Sequence, residues 1–185
     1  MRRAETTELL EPGAIPSSEF EDGYEFFDGE NREKRVGAKS ERIAGAVLSV
    51  LRNHLRSNRI GWVYGSNTSY RGCFPHEPLM MRKPDVSFVP FSKMPAGEDP
   101  DGDFRLAPDL AVDVVSPGDS YGSVEQKVFD YRQAGVKLIW IVSPPTKTVL
   151  IRRLDGSCSE VDVRGTLSGE DVVPGFECAV AELFE

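Results

Sequence analysis

Two aspartates and a lysine are placed where they could carry out metal-dependent chemistry on phosphate esters. Asp85 ends the segment Arg-Lys-Pro-Asp, Asp113 lies inside the apolar run 110–116, and Lys127 follows shortly afterwards. A carboxylate within an apparently buried strand needs a metal, a cation or hydrogen bonds, because an unpaired buried charge is very costly. Asp113 is therefore the strongest single candidate for a functional residue.

The chemistry that suits this trio is phosphodiester hydrolysis. A carboxylate-bound divalent cation neutralises the phosphoryl oxygens and makes a water nucleophilic. Mg²⁺ or Mn²⁺ prefers oxygen ligands and leaves several positions to water and phosphate, so the predicted ligands Asp85 and Asp113 suffice. Lys127 is then predicted to orient or deprotonate the attacking water, or to stabilise the transition state.

The elements that position the trio can be predicted from hydrophobic spacing. Ser40 is expected to cap a helix over 40–56, in which apolar residues recur at helical intervals. Segments 60–71 and 82–90 are rich in β-branched and aromatic residues, which predicts two adjacent strands. Asp85 then lies on the second of these strands.

A strand, a helix and a strand follow in succession. The run 110–115 predicts a buried strand, and Ser123 with Gln126 matches a capping box for a helix over 124–134. The run 137–142 predicts a further buried strand. A right-handed crossover makes the two strands parallel neighbours, so the fold is predicted to be α/β.

The remainder of the chain completes a single domain. Segments 148–154 and 158–163, joined through Asp155-Gly156, predict a hairpin. Residues 1–21 contain several helix breakers and no periodicity, and we expect a flexible leader there. Residues 22–185 are predicted to form one domain.

Two further carboxylates allow more than one interpretation. Asp109 shares a strand face with Asp113 at a spacing of two residues, so it is either an outer member of the cluster or a solvent-facing strand start. Glu41 either serves the metal cluster or only stabilises the N-terminus of the first helix. The histidines His54 and His76 are expected to be surface or half-buried residues without a metal.

The charge distribution is asymmetric. The net charge of −8 argues against a protein that coats nucleic acid non-specifically, yet residues 31–83 contain 11 basic and three acidic residues. This concentration is compatible with a local phosphate-binding face, although ordinary solvated charge explains it about as well.

Several functional classes have no support. No apolar run is long enough to cross a bilayer, and the first residues lack the pattern of a secretory signal, so we expect a cytoplasmic protein. Three widely spaced cysteines predict neither a disulfide framework nor a zinc site. The glycines form no nucleotide-binding pattern, so no nucleotide cofactor is expected.

Six short motifs in order resemble the Uma-type restriction endonuclease family, which belongs to the PD-(D/E)XK nuclease superfamily. They cover about residues 22–185 and occupy Tyr24–Glu30, Arg82–Val86, Pro108–Pro117, Lys127–Val136, Leu138–Pro144 and Pro174–Phe176. The resemblance implies a restriction-endonuclease-like fold with a central mixed β-sheet flanked by helices. It also implies a Mg²⁺ or Mn²⁺ cofactor and DNA as the substrate.

The resemblance also assigns roles by position. Asp85 matches the aspartate of the PD motif, Asp113 the second acidic ligand, and Lys127 a catalytic lysine displaced from the strand to the following helix. Glu30 matches a further acidic position of the site. The second ligand is more usually glutamate in this family, and the shorter aspartate requires the metal to lie nearer the strand or to bind through water.

Together these features predict a Mg²⁺-dependent endonuclease that hydrolyses phosphodiester bonds in DNA. A homodimer is expected, because two sites related by a two-fold axis can cut both strands of a duplex. The alternative is a catalytically inactive module of the same fold that binds nucleic acid or a protein partner.

Overall fold

The computed structural model describes residues 24–33, 37–94 and 100–185. The predicted leader, 1–21, lies outside the described residues. The strands and helices, in chain order, are β1 Tyr24–Phe27, β2 Glu30–Glu33, α1 Ala38–Ser57, β3 Gly61–Gly65, β4 Tyr70–Arg71, β5 Met81–Arg82, β6 Val86–Pro90, β7 Leu110–Val114, α2 Tyr121–Gln133, β8 Leu138–Ser143, β9 Thr148–Arg153, β10 Cys158–Asp162, β11 Thr166–Ser168 and β12 Glu177–Ala179. Short 3₁₀ helices span Phe91–Lys93 and Val180–Phe184.

A six-stranded mixed sheet forms the centre of the fold. Its strand order is β10-β9-β8-β7-β6-β3. Strands β7 and β8 pair in parallel, whereas the other neighbours are antiparallel. The predicted crossover and hairpin are therefore confirmed, and segments 60–71 and 82–90 pair as predicted. The prediction that each segment is one strand was wrong, because both are divided between two sheets, and Asp85 lies between β5 and β6.

The side chains of β7 and β8 alternate between two hydrophobic clusters. Leu110, Val112 and Val114 pack in the cluster that contains the buried face of α1. Ala111 packs in the second cluster, together with residues of α2. Because side chains alternate at a period of two, Asp113 lies on the face of the sheet that α2 covers. This alternation decides which helix can contribute to its surroundings.

The first helix begins before the predicted cap. Gly37 is its N-cap and provides no side-chain hydrogen bond, whereas Ser40 is buried inside the first turn. The Ser40 hydroxyl donates to the carbonyl of Val115 and accepts a hydrogen bond from the Ser116 hydroxyl. The prediction of Ser40 as the cap was wrong because a tertiary contact with the end of β7 uses its hydroxyl.

The second helix also begins one turn earlier than predicted. Ser120 caps it by accepting from the Ser123 backbone N–H, and the Ser123 hydroxyl pairs with the Ser120 backbone N–H. The capping box is therefore Ser120 with Ser123 rather than Ser123 with Gln126. Gly135 follows the helix with a positive φ of 83° and lets the chain turn directly into β8.

A smaller four-stranded sheet, in the order β2-β1-β5-β4, provides the remaining positioning element. Its hairpin turns at Asp28 and Gly29, both of which have positive φ. Strand β1 pairs with β5 through Phe26 and Met81. This pairing brings β1 next to the Arg-Lys-Pro-Asp segment. Neither helix of the described residues is long and apolar enough to span a membrane.

Candidate active site

Asp113 and Lys127 meet between β7 and α2. Asp113 is 6% exposed, and its Oδ1 accepts a hydrogen bond of 2.9 Å from Lys127 Nζ. The strand presents the carboxylate to the helix, and the helix returns over the sheet one connection later. The predicted proximity of these two residues is present in the structure.

Lys127 is surrounded by negative charge. Burial on its own lowers the pKa of the ammonium group, but the carboxylates of Asp113, Glu25 and Asp85 outweigh burial and raise it above its ordinary value. Lys127 is therefore a cation in this arrangement. A proton-accepting lysine, one of the roles predicted from the sequence, is disfavoured.

Asp85 is fixed by the backbone of β7. Its N–H donates to the carbonyl of Val112 at 2.8 Å, and its Oδ2 accepts from the Val114 N–H at 2.6 Å. These two hydrogen bonds bracket Asp113 in the neighbouring strand. The two predicted metal ligands therefore lie side by side, although they are far apart in the sequence.

Glu25 is a member of the site that sequence reasoning missed. It is 4% exposed on β1, and its Oε1 accepts from the Lys83 backbone N–H at 2.9 Å. Its Oε2 lies 3.8 Å from Lys127 Nζ. A charged residue in the short apolar strand Tyr-Glu-Phe-Phe was a usable signal, by the same argument that identified Asp113.

A second layer of polar residues lies behind Glu25. Arg82 is 1% exposed, and its guanidinium contacts both Glu25, at 3.4 Å, and Asp130 of α2. Asp130 also accepts from Gln126 and pairs with His76. The Phe27 ring lies 3.7 Å from the guanidinium carbon of Arg82. His76 was predicted to be a surface or half-buried residue and is exposed, but it contributes to this network through Asp130.

An open polar cavity of about 310 Å³ adjoins the cluster. Carboxylates, the Lys127 ammonium, hydroxyls and Arg32 line it. The lining residues are Glu25, Phe27, Arg32, Glu33, Asp85, Val114, Ser116, Gly118, Asp119, Ser123 and Lys127. The cavity has room for a hydrated ion and a phosphate group beside Asp85 and Lys127.

Three other acidic candidates lie elsewhere. Glu30 is exposed at the start of β2, ion-pairs with Arg32 at 3.6 Å and does not line the cavity. Its position does not support the predicted role, because the hairpin directs Glu25 inward and leaves Glu30 in solvent. Glu41 and Asp85 both line a second cavity, which is separate from the one beside Lys127.

The structure contradicts the solvent-facing interpretation of Asp109. Its side chain is buried, and it pairs with Lys93 and, at 2.7 Å, with Lys137. These partners belong to the opposite end of the strand from Asp113. Asp109 is therefore a structural ion-pair residue outside the cluster.

The donor set fits a hard divalent cation that keeps much of its water. Within the described ranges, no three Asp, Glu, His or Cys side chains are already arranged as a metal-ligand set. Asp85 nevertheless offers a carboxylate at the wall of the open polar cavity, and Asp113 lines a small pocket that shares Asp119 and Lys127 with it. Mg²⁺ typically uses one or two carboxylates with water and phosphate.

Comparison with known proteins identifies the family of this chain. The model of the Uma2 family, described as "Putative restriction endonuclease", matches residues 14–181. The chain belongs to the Uma2 family, which confirms the resemblance seen in its motifs. Membership in this family supports a nuclease function.

A solved structure has the same fold. It is described as a putative nuclease belonging to DUF820 from Anabaena variabilis, and it matches with a TM-score of 0.75 and 20% sequence identity. The match covers 92% of this chain and 93% of that chain. It confirms the predicted fold class. No curated protein matches the chain.

Proposed function

We propose that this protein is a metal-dependent endonuclease that hydrolyses phosphodiester bonds in DNA, with Asp85 and Asp113 as ligands for Mg²⁺ or Mn²⁺. One observation carries the proposal. Three buried carboxylates, those of Glu25, Asp85 and Asp113, act on the single ammonium of Lys127 at the wall of an open polar cavity. This excess of negative charge favours an additional cation.

The bound cation would neutralise charge on the phosphate and activate a water molecule. Asp85 is pre-oriented for binding, because the Val114 N–H holds one of its carboxylate oxygens. Asp113 holds the Lys127 ammonium beside the cavity. Lys127, as a cation, stabilises the negative charge that develops on the phosphoryl oxygens during attack.

Glu25 and Arg82 act as positioning residues. Glu25 attracts the same Lys127 ammonium that Asp113 binds, and Arg82 contacts Glu25 in turn. Removing Arg82 or its partner Asp130 would leave a buried charge uncompensated. The network therefore keeps the lysine aligned with the aspartates.

The proposal is tested by titrating Mn²⁺ and Mg²⁺ calorimetrically and by measuring plasmid nicking on the same samples. Asp113→Asn is the test variant, and Asp109→Asn is a matched control because both aspartates are buried and lysine-paired in the same strand region. We expect metal binding and nicking to disappear in Asp113→Asn and to persist in Asp109→Asn. Thermal unfolding monitored by circular dichroism verifies that both variants fold.

Nicking by Asp113→Asn at the wild-type rate would contradict the assignment. A wild-type protein that binds neither metal would also contradict it, whatever the fold of the variants. Equal losses in Asp113→Asn and Asp109→Asn would show a general effect of removing buried charge instead of a metal site.

A specific observation favours a second function, that of an inactive module of the nuclease fold. The Lys127 ammonium already occupies Asp113 Oδ1, and no complete ligand set is preformed among the described residues. Such a module would bind DNA or a protein partner without metal. DNA binding by the wild-type protein that is unchanged by EDTA, with no nicking, would favour this alternative.

We further propose that the active form is a cytoplasmic homodimer. Two sites related by a two-fold axis would allow both strands of a duplex to be cut in one encounter. Light scattering after size-exclusion chromatography should give twice the 20.5 kDa chain mass. The monomer mass at working concentrations would contradict the dimer.

A further inference from the structure

We infer that the boundary between α1 and β3 binds a single strand of nucleic acid, whose phosphates contact Arg52, Arg56 and Arg59 while a base stacks on Trp62. The inference rests on the proposed function, because the bound strand would continue from the phosphate that is cleaved beside Asp85.

Two cavities follow one another along this boundary. The first contains Asp85 and is lined by the N-terminal half of α1, from Glu41 to Leu48, and by residues 65–68. The second, of about 330 Å³, is lined by Arg52, Leu55, Arg56, Arg59, Trp62 and Val63. Gly65 lies beside Leu48, so α1 and β3 run alongside each other in opposite directions.

The second cavity is strongly basic. All three arginines are exposed, and none of the described residues that line the cavity is acidic. Among the described residues none of the three has a carboxylate partner within ion-pairing distance, unlike Arg82, Arg152 and Arg153. A favourable interaction with the helix dipole would explain the position of Arg56, which lies in the last turn. It does not explain Arg52, which lies a turn earlier, or Arg59, which lies beyond the helix.

An exposed aromatic ring accompanies these cations. Trp62 lies on β3, the edge strand of the six-stranded sheet, and is 42% exposed. Its ring packs against the Phe91 ring in a T-shaped arrangement at a centroid distance of 5.5 Å. A held indole beside arginines is the combination with which proteins bind single strands, since bases stack on the ring and the cations follow the phosphates.

The spacing suits one continuous strand. From Glu41 to Arg56 the helix rises by about 22 Å, at about 1.5 Å per residue. A strand with its scissile phosphate near Asp85 would therefore reach the arginines a few nucleotides away. A duplex keeps its bases stacked, so it would contact the arginines without engaging Trp62 in stacking.

Binding can be measured by fluorescence anisotropy of a labelled oligothymidine of about 16 nucleotides, in EDTA to prevent cleavage. The test variant is Arg52→Gln/Arg56→Gln/Arg59→Gln. Its control is Arg105→Gln/Arg132→Gln/Lys147→Gln, which removes three equally exposed charges that line neither cavity. Arg132 matches Arg56 because each lies in the last turn of its helix.

We expect the test variant to bind at least about tenfold more weakly and its salt dependence to fall by about 2 in the slope of log K against log salt, at about 0.7 per lost contact. The control should bind within about twofold of wild type, with an unchanged slope. Equal binding by the two triple variants would overturn the inference.

The stacking contact has its own readout, because Trp62 is accessible and the other tryptophan, Trp140, is fully buried. Oligothymidine should quench the accessible emission in the wild-type protein. Trp62→Ala should weaken binding at least about fivefold, and Trp62→Phe should restore most of it. Unchanged binding by Trp62→Ala, or a preference for duplex over single strand, would overturn the single-strand inference.

The outcomes separate this inference from the nuclease proposal. If wild-type protein nicks DNA in a metal-dependent manner while the arginine variant binds normally, only the binding path is wrong. If the arginines govern binding but no metal-dependent cleavage occurs, only the nuclease proposal is wrong. If the triple arginine variant changes the oligomeric state and binds the oligonucleotide as the wild type does, this face is an interface between copies of the chain. That result would overturn the inference.

Discussion

Two buried aspartates at opposite ends of the same strand region differ in the charges that face them. Asp109 has two ammonium partners, Lys93 and Lys137, for one carboxylate. Around Lys127 the ratio is reversed, with Asp113, Glu25 and Asp85 acting on one ammonium. Asp109 is therefore compensated within the protein, whereas the Asp113 end retains excess negative charge beside a cavity. Burial of a carboxylate alone does not identify a functional site; the local balance of charge does.

The largest expected difference between the two ends concerns their lysines. Lys127→Met should reduce metal-dependent cleavage about 10³-fold, because it removes the cation that stabilises transition-state charge. Lys137→Met, the equivalent change at Asp109, should leave cleavage within about twofold, since Lys93 remains. Initial rates of plasmid nicking measure both. Calorimetry should show that Lys127→Met still binds Mn²⁺; loss of metal binding instead would make its effect indirect.

A second prediction compares the buried network with an ion pair near the surface. Asp130→Asn should lower the free energy of unfolding by about 3 kcal/mol, because the buried Arg82 guanidinium then keeps only one of its two carboxylate partners, Glu25. Glu170→Gln breaks the pair with the partly exposed Arg153 and should cost less than about 1 kcal/mol. Urea denaturation followed by circular dichroism measures both values. Similar losses would show that Arg82 is better solvated than its position indicates.

The smallest effect is expected for the carboxylates of the β1–β2 hairpin. Glu25→Gln should lower cleavage about tenfold by weakening the alignment of Lys127, as is typical for residues that orient a site. Glu30→Gln should change the rate by less than about twofold, because Glu30 lies in solvent. A larger loss in Glu30→Gln than in Glu25→Gln would restore the role that the family resemblance assigns to Glu30.

Local patterns in the sequence were sufficient for the crossover that carries Asp113 and Lys127. Apolar runs predicted β7 and β8, and the spacing between them required a helix. The structure decided the face of the sheet on which Asp113 lies, because the side chains of β7 alternate and α2 packs on the side of Asp113. The helix boundaries were predicted less accurately. Ser40 was predicted as a cap but makes a tertiary contact with Ser116, and Ser123 was predicted as the cap of the second helix, which Ser120 provides.

Residues that depend on distant pairing escaped prediction from local pattern. Glu25 reaches Lys83 and Lys127 only because β1 pairs with β5, more than fifty residues later in the chain. Arg82 of β5 and Asp130 of α2 are likewise brought together only by packing between segments that are distant in the chain. Neither contact has a periodicity or a motif, so short-range propensity contains no information about them.

The sequence by itself determined the α/β core, the family and the aspartates that need compensation, because hydrophobic period and the cost of burying charge are local properties. Only the tertiary structure decided which charged side chains compensate each aspartate. The Coulomb interaction depends on distance in space, and strand pairing sets that distance independently of separation along the chain. For this reason Asp109 and Asp113, alike in sequence, differ in the chemistry they support.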